Sequence, residues 1–327
     1  MQYRRLGNSE LSVSTISMGC WAIGGAWGTV SDEDSRRALA AAVDQGINFF
    51  DTADVYGDGR SERLVGELVR QTGGQVYVAS KAGRRLQPHT AQGYNRQNLT
   101  AFLERTLSNL KLPRLDLLQL HCPPSDVYYQ PEVFGVLDDL VQAGKLRHYG
   151  VSVERVEEGL KAIEYPHVRS VQIIYNLFRQ RPAEQLFALC RERGVGILAR
   201  VPLASGLLSG KFSASSTFAA DDHRHFNRHG EAFDVGETFA GVPYDVGLTA
   251  VEELRRLCPA DFSLSQAALR WILMQDAVTC AIPGGKTPGQ VIDNAAAADL
   301  PALDAEFMRA AAEIYTAKIK PWVHQRW

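Results

Sequence analysis

The sequence predicts an α/β fold, a barrel of eight parallel strands alternating with helices, and three observations carry that expectation. Short apolar runs alternate with stretches of helical period along most of the 327 residues, with no linker-like gap. Eight such runs can be picked out. Asp51, Lys81, His121 and Ser152 stand at the carboxyl ends of successive runs and Gln172 lies within the next, as a barrel's active face requires, whereas an open doubly wound sheet would gather them at one switch point.

In chain order, residues 3–6 and 10–13, separated by Gly7, Asn8 and Ser9, form a hairpin placed to plug the bottom of the barrel. The strand candidates are 14–18, 47–51, 76–81, 115–121, 149–152, 170–175, 196–201 and 279–283. Between them the periodicity predicts helices over 32–44, 60–70, 97–110, 131–143, 182–193 and 288–297. Ser31 suits the N-cap of the first and Gly46 its end, being at ease with positive φ. Pro182 suits a first helical turn. Residues 212–244 show no sustained period, are too long for a simple connector, and fit a charged, mobile lid. The chain after Leu303 predicts one further helix ending in an exposed KPWVHQRW.

With 45% hydrophobic and 22% charged residues, the chain can bury a substantial core. A formal net charge of −2 gives no overall reason to bind nucleic acid or an anionic membrane, so any anion site must be local. The five cysteines, at 20, 122, 190, 258 and 280, form no C-x-x-C pair and no zinc-type spacing. His223, His225 and His229 share a loop with Asp221, Arg224 and Arg228 and lack ligand spacing on a defined helix, so no metal is expected. Serines and glycines interrupt the stretch from Leu11 to Gly25, and no segment reaches the ~20 apolar residues of a membrane span. The expectation is one unprocessed, cytoplasmic domain over residues 1–327, its oligomeric state open.

The phrase GINFFDTADVYGDGRSE, residues 46–62, carries the strongest chemical signal. A buried strand runs into Asp51, and Tyr56 follows in a glycine-flanked loop. A phenol with a pKa near 10 is a poor acid; to protonate an alkoxide near neutral pH it needs a nearby cation, and the cation needs an anion to hold it. Lys81 and Asp51 supply that pair, and His121 a donor able to polarise a carbonyl. Singly, each has an ordinary explanation: a turn former, a solvated lysine, a structural histidine, a rim tyrosine. Four such accidents at one end of one barrel are a poor alternative.

With ASKAG, LLQLH, GVS, VQIIYN, PLASGLLSGK and IPGGKTPGQVIDN, this phrase resembles the motifs of the aldo-keto reductase family, in its order and over nearly the whole chain. The resemblance implies an NADP(H)-dependent oxidoreductase acting on a small carbonyl compound. It implies Tyr56 as general acid/base, Lys81 and Asp51 as the pair that tunes it, and His121 as the group that orients the carbonyl. Trp21 and Trp27, which follow the first strand, are candidate pocket walls that core or rim packing would explain equally well. Ser152 and Gln172 match positions that hold the nicotinamide carboxamide, near Cys20, Trp21 and Asp51. The stretch of Arg200, Val201, Pro202, Leu203, Ser205, Gly206 and Lys211 resembles the loop that folds over the pyrophosphate. Gly284 and Lys286 precede a helix N-terminus and suit a 2′-phosphate, with Gln290 and Asn294 at the adenine. Three positions depart from the family's habit: Val153 where asparagine is common, Arg200 where an aromatic is common, and Cys20 where threonine is common. Arg200 is expected to reach phosphate or ribose instead of stacking.

Two rival readings follow from the same residues. Potassium-channel β subunits resemble this family and keep its cofactor pocket, which would make the chain a regulatory subunit; the absence of a long added amino-terminal segment speaks against it. Lys81 as a Schiff-base nucleophile would make an aldolase-like barrel, against which the full cofactor signature speaks.

Overall fold

The structure, a computed structural model, describes all residues 1–327. β1 (Tyr3–Arg5) and β2 (Ser12–Ser14) pair antiparallel, Tyr3 opposite Ser14. Eight parallel strands follow: β3 (Met18–Gly19), β4 (Phe49–Asp51), β5 (Tyr77–Ala82), β6 (Leu115–His121), β7 (Leu146–Ser152), β8 (Val168–Ile174), β9 (Gly196–Arg200) and β10 (Val278–Ile282), neighbours in space in that order. The first and last meet across a seam where the Ser17 N–H donates to the Ala281 carbonyl at 3.0 Å and the Gly19 N–H to the Pro283 carbonyl at 2.9 Å. Bridges Ile16 to Ala281 and Gly19 to Gly284 run beside them, so the sheet closes into the expected barrel.

Alternate residues of each strand point inward, and this layers the interior. Phe49, Ala79, Leu117, Leu198 and Cys280 form a buried apolar layer with Leu6, Leu11 and Val13 of the hairpin, which thereby plugs the bottom. Two residues further along four of those strands stand Asp51, Lys81, Gln119 and Arg200, all buried and all polar. One barrel therefore holds a greasy lower half and a hydrogen-bonding upper half, set by the period-2 pattern.

The first strand departs from expectation. Residues 14–18 do not form one strand, because the side chain of Asn48 binds the Ser14 N–H and the Ser12 carbonyl and holds 12–14 in the hairpin. The barrel strand then begins only at Met18. Among the helices, Asp32–Asp44, Arg60–Gln71, Arg96–Leu110, Pro131–Gln142 and Pro288–Ala296 lie within a residue or so of expectation, and Ser31 Oγ caps the first by accepting from the Asp34 N–H at 3.0 Å. The helix predicted over 182–193 divides into a 3-10 turn, Arg181–Ala183, and a helix, Leu186–Arg193, where Gln185 leaves helical geometry at φ −136° and lets Leu186 and Phe187 turn into the core. Helices Val156–Ala162, Tyr244–Leu257 and Leu264–Leu273 escape the periodicity; in the last, only Gln266 and Arg270, four apart, are not buried, so the polar stripe is two residues long.

Two segments correct the sequence reading more deeply. Residues 212–244 are only in part a solvated loop: 213–221 are irregular and mostly exposed, but short turns, His223–Phe226, Val235–Glu237 and Phe239–Gly241, fold the rest into a cap. Phe212, Phe218, Phe239 and Tyr244 cluster within it, with Arg224 and Arg228 lying over the rings at 4.6–5.7 Å. The tail forms helix Ala305–Ile314, a π-type turn and a last helical turn, Lys320–Val323; Pro321, Trp322, Gln325 and Arg326 are exposed as expected, but Val323 and Trp327 are buried. Trp327 is 3% exposed, lies 4.0 Å from the Arg179 guanidinium and donates its Nε1–H to Asp234 at 2.9 Å. No helix is long and apolar enough to cross a membrane.

Candidate active site

β4 ends in Asp51, β6 in His121, and β5 carries Lys81 one residue before its end, so three chemistry-bearing side chains meet at the top of the barrel. Lys81 Nζ donates to Asp51 Oδ1 at 2.5 Å and to the Thr52 carbonyl at 2.9 Å, and lies 3.5 Å from Tyr56 Oη. That last distance is at the long end of hydrogen bonding, so the contact acts mainly through charge. Asp51 Oδ2 accepts from the amides of Gln119 at 3.0 Å and Gln172 at 2.8 Å. Burial opposes charge on Lys81, yet Asp51 and then Tyr56 outweigh it and the lysine pKa rises: the group is an ammonium. Burial also raises the Tyr56 pKa, against the downward pull of Lys81. His121 is driven well below the usual imidazole value by burial, with Arg84, Lys81 and Arg200 adding to it, so its ring is neutral; Nδ1 is buried with no partner.

The loop carrying Tyr56 is held by main chain. A Cβ at Gly24 would stand 2.7 Å from the Tyr56 Cβ, and one at Gly57 would overlap the Gly24 carbonyl. Thr52 Oγ1 donates to Ser61 Oγ at 2.7 Å, and Ser61 in turn to the Cys20 carbonyl at 2.9 Å. The Trp21 ring stacks on that of Tyr56 at 6.0 Å and 19°, while His121 meets it edge-on at 6.0 Å and 84°. The phenol is thus framed on both sides.

A cleft of about 640 Å³ runs from Tyr56 and His121 along the ends of β9 and β10. Every residue singled out from the sequence lines it, Cys20, Trp21, Asp51, Ser152, Gln172, Arg200, Lys211 and Lys286 among them, except Lys81, which lies behind the wall. Several wall residues already have partners. Ser205 Oγ donates to the Glu237 carbonyl at 2.9 Å and accepts from the Phe239 N–H at 3.1 Å. Gln290 accepts from the Lys286 N–H at 2.8 Å and Asn294 donates to the Gly284 carbonyl at 3.1 Å, which braces the turn before helix Pro288–Ala296. Lys286 Nζ donates to the Trp27 carbonyl. Arg200 is clamped by Glu154 at 2.8 Å and Glu237 at 3.1 Å, its Nε left without a partner.

Sequence reasoning missed that clamp. Arg84 joins it by donating to Glu237 at 2.6 Å and Glu154 at 3.0 Å, so two arginines and two glutamates tie the cap to the ends of three strands. Burial pushes Glu154 up, whereas for Glu237 the pull of Arg84 and Arg200 overcomes burial and holds it low. Glu237 lies in the aperiodic segment and gave no signal; Gln119 did, since inward alternation through Leu117, Gln119 and His121 puts it on the barrel's inner face. Trp27 lines the cleft beside Trp21 as the sequence suggested, Arg224 lines it unforeseen, and the buried Nε1 of Trp27 has no partner. Cys122, Glu154 and Glu237 come close enough to suggest a metal, but arginines engage both carboxylates and burial pushes the Cys122 thiol up to about 12. That donor set does not suit a cation.

Comparison with known proteins supplies the family. The pattern of the Aldo/keto reductase family matches residues 15–316. Aldo-keto reductase YhdN of Bacillus subtilis is 31% identical over 301 residues, 89% of this chain and 87% of that protein. An aldo-keto reductase [NADP(+)] of Schizosaccharomyces pombe is 27% identical over 86% of this chain and 82% of its own length. The solved glycerol dehydrogenase of Gluconobacter oxydans superposes with a TM-score of 0.79 at 27% identity, covering 97% of this chain and 96% of that one. With the family's pattern spanning nearly all of the barrel just described, the chain belongs to the aldo/keto reductase family.

Proposed function

We propose that the protein reduces an aldehyde or ketone to an alcohol with NADPH, residues 1–327 acting as one catalytic domain and Tyr56 delivering the proton. The general reaction of its family is NAD(P)H-dependent carbonyl reduction. The observation that carries the finer reading is the buried Lys81 ammonium, held by Asp51 behind a phenol that faces the cleft.

The cleft suits a nicotinamide dinucleotide. Val201, Ala204, Ser205 and Gly206 adopt positive φ of 51°, 47°, 54° and 93°, which bends the main chain tightly along the cleft wall where a pyrophosphate would lie, although the Ala204 and Gly206 N–H groups already donate to the Val201 and Leu203 carbonyls. Gly284 and Lys286 precede a helix N-terminus, which would hold a 2′-phosphate with the Lys286 ammonium. Ser152 and Gln172 would hold the carboxamide, and Gln290 and Asn294 would face the adenine. The [NADP(+)] in the name of the Schizosaccharomyces pombe relative supports the phosphorylated cofactor. When bound, the nicotinamide supplies the hydride.

The chain's own residues supply the rest. Burial keeps the proton on Tyr56 Oη at neutral pH, so the donor is loaded when a carbonyl oxygen arrives. As that oxygen gains negative charge, the proton crosses to it and the Lys81 ammonium, 3.5 Å away, stabilises the phenolate left behind. Neutral His121 offers an N–H to the same oxygen, fixing its position without competing for the proton. Trp21 walls the pocket and sheds water from it.

Tyr56→Phe tests this. It is expected to cut kcat for a generic aldehyde by about 10²–10⁴, with the NADPH dissociation constant, read by fluorescence, unchanged. Wild-type turnover in that variant would remove Tyr56 from the reaction.

A further inference from the structure

Gln119 occupies a place where stability alone would put an apolar side chain. It is fully buried on the inward face of β6, between Leu117 of the apolar layer and His121 at the cleft. Its Nε2 donates to Asp51 Oδ2 at 3.0 Å, and its Oε1 has no partner at all. Turning the amide over would set its oxygen against a carboxylate oxygen, so the donor orientation is the one the chemistry allows. A buried carbonyl without a donor destabilises the fold, and a leucine there would avoid it. Gln172 donates to the same carboxylate oxygen, but Gln172 lines the cleft, open to a ligand, whereas Gln119 does not. Only the Gln119 bond is sealed inside the barrel.

We propose that Gln119 is a positioning residue for proton transfer at Tyr56, acting through Asp51 and Lys81. The inference rests on Tyr56 being the proton donor. The Gln119 amide shares the negative charge on Oδ2 and fixes the carboxylate plane, so that Oδ1 alone faces Lys81. The ammonium, at 2.5 Å from Oδ1 and 3.5 Å from Tyr56 Oη, then divides its field between anion and phenol. Without the amide, the carboxylate concentrates its charge on Lys81 and draws the ammonium from the phenol. The phenolate loses stabilisation, and Tyr56 becomes the weaker acid.

The test uses Gln119→Leu and Gln119→Met, which keep volume and remove the donor, in the full chain. Carbonyl reduction needs the protonated phenol, so kcat falls as pH rises through its apparent pKa. Both variants should move that fall to higher pH by about half a unit to one unit and lower the plateau roughly 3–10-fold, the loss of one hydrogen bond acting at second hand. The NADPH dissociation constant should stay within about twofold, and the melting midpoint should fall by no more than about 3 °C, the lost bond to the carboxylate being partly offset by removal of the unpartnered carbonyl. A pH limb that stays in place in both variants overturns the proposal. So does a midpoint depressed by several degrees in both, because the amide is then structural. Tyr56→Phe, run alongside, separates the two ideas: if it keeps the wild-type profile, the proton-donor reading fails and Gln119 falls with it, whereas an inactive Tyr56→Phe beside an unmoved limb rejects Gln119 alone.

Discussion

Replacing Lys81 by methionine separates what the buried ion pair does for the fold from what it does for chemistry. Lys81 is 1% exposed and Asp51 4%, and their 2.5 Å contact is the only full opposite charge bonded to that carboxylate. Methionine fills a similar volume and leaves Asp51 a buried anion with two neutral amide donors, Gln119 and Gln172. Removing one member of a buried pair costs about 3–5 kcal/mol, and the two amides place this case near the lower end. In a chain of this length, about 3 kcal/mol lowers the melting midpoint by roughly 4 °C. Adding Asp51→Asn removes the orphaned charge, so the double variant should recover to within about 1 kcal/mol of the parent, a coupling larger than independent sites show. Neither variant should reduce a carbonyl compound, since both lack the cation beside Tyr56. Urea unfolding followed by tryptophan fluorescence reads the stability, and aldehyde-dependent consumption of NADPH reads the chemistry. A single variant as stable as the parent, or a double variant less stable than the single, would refute the account of the pair.

Three further outcomes follow from the cleft and the cap. Lys286→Ala should weaken NADPH by about 10–100-fold, the worth of a charged hydrogen bond to phosphate, and leave NADH nearly unaffected; equal effects on both cofactors, in fluorescence titrations, would place the 2′-phosphate elsewhere. His223 is buried against Trp21 and Trp27 at ring distances of 4.7 Å and 4.3 Å, and burial lowers its pKa from the usual 6.5 to about 4, although Asp222 opposes the shift. The unfolded chain therefore binds that proton more readily: the stability His223 contributes is complete above about pH 6.5 and lost as pH falls through about 4, so the melting midpoint and tryptophan emission should shift together in that window and no longer do so in His223→Phe. Glu237→Ala leaves Arg84 and Arg200 with Glu154 alone and should cost about 2–4 kcal/mol, loosening the cap so that proteases cut residues 212–244 faster; an unchanged cleavage rate would mean the clamp does not fasten it.

How much could be read from the sequence depended on which interactions set each element. The barrel strands were legible because burial on both faces makes continuous apolar runs, and the upper-layer polar residues stood out against them. Asp51, Lys81 and His121 could be seen for that reason. Helix Leu264–Leu273 was missed for the opposite one: it is buried at every position but Gln266 and Arg270, and two residues make a faint stripe. The cap was misread because its order comes from aromatic rings and arginines brought together by tertiary folding, and none of that has a period along the chain. The Arg84, Glu154, Arg200 and Glu237 clamp joins residues up to 153 positions apart, and Arg200 taken alone pointed to phosphate where the structure gives it two carboxylates. Trp327 looked like a solvent-facing tail because nothing local announces Arg179 and Asp234.

The fit between Gly24, Tyr56 and Gly57 sets a mechanical tolerance on the phenol. Side chains that crowd one another can change rotamer, but main chain pressed on main chain has no such freedom, so a single methyl at Gly24 must move the whole turn that carries the hydroxyl. A displacement of about 1 Å is enough to cost ~10²-fold in rate. The aim of the proton therefore depends on two positions with no functional group at all, and a survey confined to polar residues would overlook the pair most able to spoil it.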